Sequence, residues 1–186
     1  MVSAFFFQKM NRWFDAYDVD GDGVLTMLDF EQSLINMARL LNLSEASPIY
    51  ERALQINQSH WQHLLSISDQ NRDHQITRDE FINWAILAYQ QRHVPSVQQA
   101  FESWIIGIFE LLDVDQNGTI SKQEYATFFQ AHPAVYVAEQ VDEIWDHLDT
   151  NHDGRLSFGE TFNMMLQFFF SDNPVDAGNW IYGKLE

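Results

Sequence analysis

Cysteine is absent from the chain, which excludes disulfides and thiolate metal sites and agrees with a reducing compartment. Basic residues are scarce, ten against 27 acidic ones, for a net charge of −17. Such a surface repels phosphate backbones and anionic bilayers, so neither a nucleic acid nor a membrane partner is expected. Long apolar runs are missing as well. The opening MVSAFFFQKMNRWFDAY contains only a short apolar run, less than a signal-peptide core, and nothing approaches the roughly 18 apolar residues of a membrane span. Val2 stands where N-myristoylation needs glycine. There is no nucleophile–base pair and no glycine-rich phosphate loop, so no catalytic residues are assigned. The expectation is a cytoplasmic monomer that is not an enzyme.

What is present is a chain of 186 residues, 46% apolar, enough for a sizeable buried core. Disorder would need low hydrophobicity together with the charge, so the carboxylate excess has another reason. Bound cations are one.

Residues Phe6, Met10, Trp13, Phe14 and Tyr17 fall on one stripe of an amphipathic helix, and the stripe stops where DVDGDG begins. Phe30, Leu34, Met37, Leu40 and Leu41 resume the spacing as far as about Leu43. Ser47-Pro48 then offers an N-cap with proline at the first helical position, opening a long helix to about Ser68. The alternation of helix, polar loop and helix recurs through DQNRDHQITRDE, DVDQNGTISKQE and DTNHDGRLSFGE. Loop starts at 18, 69, 113 and 149 are separated by 51, 44 and 36 residues. The organisation expected is a pair of units over 1–92, a second pair over 96–170 and a closing tail, 171–186.

Calcium takes six to eight oxygens, and a 12-residue loop supplies them from positions 1, 3, 5, 7, 9 and 12, with a carbonyl at 7, a carboxylate clamp at 12 and a sharp turn at 6. Asp113, Asp115, Asn117, Gly118, Thr119 and Glu124 fit this pattern, as do Asp149, Asn151, Asp153, Gly154, Arg155 and Glu160. One such match should arise by chance in on the order of one chain in a thousand. The first loop, Asp18, Asp20, Asp22, Gly23, Val24 and Thr26, ends in Asp29, one methylene short of glutamate. A tighter cage there suits magnesium as well as a weaker calcium site. In the second loop Asp69, Asn71, Asp73, the carbonyl of Gln75 and Glu80 keep the oxygen set, but His74 replaces the turning glycine. The left-handed conformation costs histidine about 1–2 kcal/mol, which ranks this loop lowest of the four without disabling it. Ser68, just before it, stands where the other units have Tyr17, Leu112 and Leu148. Up to four calcium ions are therefore expected. Their ligands use 13 of the 27 acidic residues, and four ions change −17 to −9.

Four loops of this kind between helices resemble the EF-hand superfamily over nearly the whole chain, which implies an all-α fold of four helix-loop-helix units packed as two pairs in one globule. The uneven spacing, long first-half helices and closing tail are similar to sarcoplasmic calcium-binding proteins and their bacterial relative calerythrin. That likeness implies a calcium buffer. Trp84, Trp104 and Tyr182 also resemble residues of the coelenterazine photoproteins and luciferin-binding proteins. Those photoproteins need a histidine on the last helix, however, and residues 161–170 have none.

The aromatic content, 15%, reads as core packing. Six methionines are few for the adaptable groove of a sensor, although Met164 and Met165 are candidates for one. His60 and His63, three residues apart, read as a solvated pair, and His132-Pro133 as a helix end. The function expected is calcium buffering. The alternatives are a sensor that exposes an apolar face to a target helix, or a calcium-regulated carrier of a small hydrophobic ligand such as a luciferin.

Overall fold

Helix α1 (Ala4–Tyr17) forms where the first stripe predicts it, opened by Ser3, whose hydroxyl accepts from the Phe6 N–H. All five stripe residues are buried. The computed structural model describes residues 2–185; Met1 and Glu186, the limits of the first and last expected segments, lie outside the described residues. The chain continues through β1 (Val24–Leu25), α2 (Met27–Leu40), α3 (Pro48–Ser68), β2 (Ile76–Thr77), α4 (Arg78–Gln90), α5 (Pro95–Leu112), β3 (Thr119–Ser121), α6 (Lys122–Gln130), α7 (Val141–Leu148), β4 (Arg155–Ser157) and α8 (Phe158–Phe170). Among the described residues this makes eight α-helices and two short antiparallel ribbons, the all-α arrangement of four helix-loop-helix units.

The ribbons couple the loops in twos. Leu25 faces Ile76 and Ile120 faces Leu156, each at position 8 of its loop and each at most 2% exposed. Ser47 caps α3 through its hydroxyl, with Pro48 at the first helical position, as expected. Helix α2 ends earlier than its stripe. Leu40 is 39% exposed, where the chain turns away through Asn42, at φ 52°.

Side chains from α1 and α2 lock the first half to the second. Lys9 is fully buried and donates to the carbonyls of Gln167 and Ser171, which close the last turn of α8. Arg12 donates to the carbonyls of Tyr182 and Val135. His132 does more than end α6. Its Nδ1 lies 2.7 Å from the Phe128 carbonyl and its Nε2 2.9 Å from the Ser33 hydroxyl of α2. A carbonyl only accepts, so Nδ1 carries the proton and Nε2 accepts from serine. Burial pushes this imidazole down to about 4, which keeps it neutral.

The tail folds back as a 3-10 turn, Ala177–Trp180. A Cβ at Gly178 would stand 2.1 Å from the Met164 carbonyl, so only glycine permits this approach. Tyr182 is buried and packs on Phe168 and Tyr17.

One expectation is corrected. His60 is buried on the inner face of α3 while His63 is exposed, so the two are not a solvated pair. Met164 and Met165 are at most 3% exposed, because α8 turns that face into the core.

Candidate metal centres

The four loops share one backbone scheme. The N–H of position 6 donates to the position 1 aspartate in each: Gly23 to Asp18 at 3.0 Å, His74 to Asp69 at 3.0 Å, Gly118 to Asp113 at 3.0 Å and Gly154 to Asp149 at 2.9 Å. Position 5 donates to the side chain of position 3, so Asp20, Asn71, Asp115 and Asn151 each accept from their loop's fifth residue. Position 7 donates in turn to position 5, from Val24, Gln75, Thr119 and Arg155 to Asp22, Asp73, Asn117 and Asp153. These bonds tie the side chains of positions 1, 3 and 5 to the loop's own backbone, and Asp69, Asp113 and Asp149 are held through both oxygens. A cation that needs many oxygens at once requires this kind of pre-arrangement.

Position 12 has a structural task as well. Asp29, Glu80, Glu124 and Glu160 each accept from the backbone N–H of position 9, and Thr26, Thr77, Ser121 and Ser157 cap the helix that follows. Each is a capping box, with the N-cap hydroxyl and the N3 carboxylate satisfying each other's backbone donors. The second carboxylate oxygen reaches position 2 in three loops: Asp29 to Val19 at 3.2 Å, Glu80 to Gln70 at 3.2 Å and Glu124 to Val114 at 2.9 Å. One side chain thus ties the start of a loop to the start of its exit helix.

Charge and burial differ among the loops. Carboxylate oxygens of Asp18, Asp20 and Asp22 lie within 4.8 Å of one another, as do those of Asp113, Asp115 and Glu124. Loops 69–80 and 149–160 have Asn71 and Asn151 at position 3 and show no such triple among the described residues. Asp18 is 5% exposed. Burial lifts its carboxyl above the usual range against backbone bonds from Gly23 and Gly21, and Asp29 and Asp22 add repulsion. Glu80 moves the other way, held down first by the Thr77 backbone N–H. Mutually repelling carboxylates at this separation fit a divalent cation, whose charge would relieve them.

Left-handed backbone occurs at two places in every loop. Position 6 is at φ 87° in Gly23, 63° in His74, 83° in Gly118 and 80° in Gly154. Position 4, which the sequence pattern leaves open, is left-handed too: Gly21 at 73°, Arg72 at 62°, Gln116 at 59° and His152 at 55°. His74 therefore adopts the conformation that the turn demands.

The EF-hand domain-pair family profile matches residues 7–86 and 102–166. The chain belongs to the EF-hand family. A sarcoplasmic calcium-binding protein beta chain of Penaeus sp. is 25% identical over 174 residues, covering 91% of each chain. Calerythrin of Saccharopolyspora erythraea is 22% identical over 176 residues, 95% of this chain and 98% of its own. In fold, the chain is similar to a coelenterazine-binding protein from Renilla muelleri in its calcium-loaded apo form, with a TM-score of 0.75, 22% identity and coverage of 98% and 97%. Calcium binding is thus the family's chemistry, and the acidic loops of this EF-hand chain supply the donors for it.

Proposed function

We propose that the protein is a cytoplasmic calcium buffer whose four loops each take one ion. The ligands would be Asp18, Asp20, Asp22, the carbonyl of Val24 and Asp29; Asp69, Asn71, Asp73, the carbonyl of Gln75 and Glu80; Asp113, Asp115, Asn117, the carbonyl of Thr119 and Glu124; and Asp149, Asn151, Asp153, the carbonyl of Arg155 and Glu160. The observation that carries this reading is the common hydrogen-bond scheme, which holds all four loops in one conformation, His74 included.

Calcium and magnesium calorimetry, run beside an environment-sensitive dye, tests it. The expected result is calcium uptake at up to four sites, with magnesium competing most at loop 18–29 and no calcium-dependent dye binding. Each site adds about 2.7 kcal/mol of stability at a hundredfold excess of ion over its Kd. Dye binding that appears only with calcium would overturn the buffer in favour of the sensor.

A second reading rests on a separate observation. The aromatic core, read from the sequence chiefly as packing, leaves a pocket of about 320 Å³ between α1, α2, α3, α4, α5 and α8, at the lower end of the range that holds small ligands. It supports a carrier of a small hydrophobic molecule, the alternative that the fold likeness to a coelenterazine-binding protein also favours.

A further inference from the structure

Helix α3 leads into the second loop and α5 into the third, and one face of α3 ties the two helices together. Arg52, Ile56 and His60 are spaced four residues apart, which sets them in a row along that face. The row runs antiparallel to α5. His60 lies against Trp104, and a Cβ at Gly107 would stand 2.3 Å from the His60 Nε2 and 3.4 Å from Ile56, so glycine lets the helices close on each other. One turn further, the same row delivers Arg52 to the end of α5.

That end is where the third loop begins. Asp113 is both the C-cap of α5 and the first residue of loop 113–124. A helix leaves its last carbonyls without intrahelical donors. Here the Val114 N–H, next in the helical series after Asp113, turns to the Leu112 carbonyl and to the Glu124 clamp and leaves the Glu110 carbonyl unserved. The last turn of α5 has no basic residue of its own. Arg52 supplies one from the first half of the chain. Its Nη2 donates to the carbonyl of Glu110 at 3.1 Å and to that of Asp113 at 3.4 Å, and its charge faces the negative end of the α5 dipole. The Arg52 Nε is buried with no partner among the described residues, so the two carbonyls are what fix the guanidinium. Asp113 matters to the rest of its loop, since its carboxylate accepts from the backbone of Asn117 and Gly118 through both oxygens. A shift of its backbone would be passed on to them.

We propose that Arg52 is a positioning residue for the third metal site: by holding the end of α5 it presets Asp113, and calcium binding at loop 113–124 thereby depends on a helix of the other half. The proposal rests on the calcium reading of that loop and adds to it a residue outside the loops. A guanidinium also repels a nearby cation, so the direction of the effect separates holding from repulsion.

The test is a calcium titration of the full chain that follows the amide resonances of Gly23, Gly118 and Gly154, each of which donates to the first aspartate of its own loop. In Arg52→Met the Gly118 midpoint should rise about three- to tenfold, the value of one hydrogen bond, with Gly23 unchanged and Gly154 moving less than Gly118. Arg52→Lys should bring Gly118 back to within about twofold of wild type, because both bonds come from one nitrogen and an ammonium can donate to the same carbonyls. In chelator, solvent exchange of the Asp113 N–H should quicken in Arg52→Met by a similar factor. Arg52→Gln, which keeps a polar side chain at this half-buried position, takes the place of methionine if that variant folds poorly. A Gly118 midpoint that stays fixed in Arg52→Met overturns the proposal, and one that falls overturns it in favour of repulsion. A rise shared equally by all three glycines is a general loss of stability and overturns it too, as does a lysine variant no tighter than methionine. All of these leave the third site standing. Only a wild-type Gly118 that does not respond to calcium removes the site itself, and the proposal with it.

Discussion

Loops 18–29 and 69–80 share one ribbon, with Val24 opposite Thr77 and Leu25 opposite Ile76, yet they depart from the ideal in opposite ways. The first has glycine at both left-handed positions, Gly21 and Gly23, and a clamp one methylene short in Asp29. The second has a full-length clamp in Glu80 and puts Arg72 and His74 at φ 62° and 63°. One loop is relaxed in its backbone and short at its proposed last ligand; the other is the reverse. Because the two pair edge to edge, neither error spreads. Asp29 still makes the same two backbone contacts as Glu80, and His74 still donates to Asp69 as the glycines do to their aspartates. Loop function therefore depends on keeping the hydrogen-bond scheme, which tolerates a shortened ligand or a strained residue taken singly.

The largest effects should come from removing the clamps. Glu80→Gln takes away a charged acceptor that holds Gln70 and Thr77 and is proposed to hold the ion, and should weaken calcium at that loop by about 3 kcal/mol, on the order of a hundredfold. Asp29→Asn should cost the first loop less, about tenfold, if the shorter side chain contributes a single strong ligand oxygen. Site-resolved titration of both variants distinguishes the clamps, and equal losses would show that Asp29 clamps as fully as Glu80.

Strain relief comes next. His74→Gly removes about 1–2 kcal/mol of left-handed cost, offset in part by the extra freedom of glycine in the unfolded chain. His74 is already left-handed in the folded loop, so the gain divides between stability and affinity. Calorimetry and a melt in chelator, taken together, should account for up to about tenfold. The converse Gly23→His should cost the first loop a similar factor. Calcium affinity and melting point that stay fixed in both variants would mean that position 6 carries no strain in either loop.

Much of this contrast is legible in the sequence, because both terms concern residue types at fixed loop positions. Asp29 and His74 depart from a known pattern, and the apolar position 8 predicts the ribbons. The amphipathic stripes predict α1 and α3 for the same reason, since helical period and burial coincide. Position 4 was missed because Arg72, Gln116 and His152 are bulky residues in an open loop, where nothing in the residue type signals a positive φ. The capping boxes were readable from Thr26 with Asp29 and Thr77 with Glu80, but the metal pattern claims the same carboxylates and hides their second role. His60 could have been placed inward, since Asn57 and Leu64 lie three residues before and four after it on a buried stripe. Reading it only against His63 lost that register. The pocket had no local signal at all, because it arises from how α1, α2, α3, α4, α5 and α8 meet.

A smaller effect should follow at the shortened clamp itself. Asp29→Glu restores the reach of a second oxygen and should tighten calcium a few-fold, while the enlarged cage discriminates more strongly against magnesium, which prefers a tight octahedron. Competition calorimetry measures both. A variant with the same calcium affinity and the same magnesium competition as the parent would show that the contracted loop already satisfies the ion.

The smallest expected effect lies just outside the loops. Ser68 is 1% exposed and its hydroxyl has no partner among the described residues, whereas Tyr17, Leu112 and Leu148 bury apolar surface at the equivalent place. The second loop thus carries an unpaired hydroxyl at its entry in addition to its two left-handed residues. Ser68→Ala deletes that hydroxyl without adding volume and should stabilise the protein by about 1 kcal/mol. Calcium affinity at loop 69–80 should remain as it was, because Asp69 keeps its backbone bond to Leu65 and its side-chain bond from His74. A melt in chelator and a calcium titration separate the two quantities. Stability that rises together with affinity would mean that the helix end and the ion site move as one, and that the weakness of the second loop begins before its first ligand.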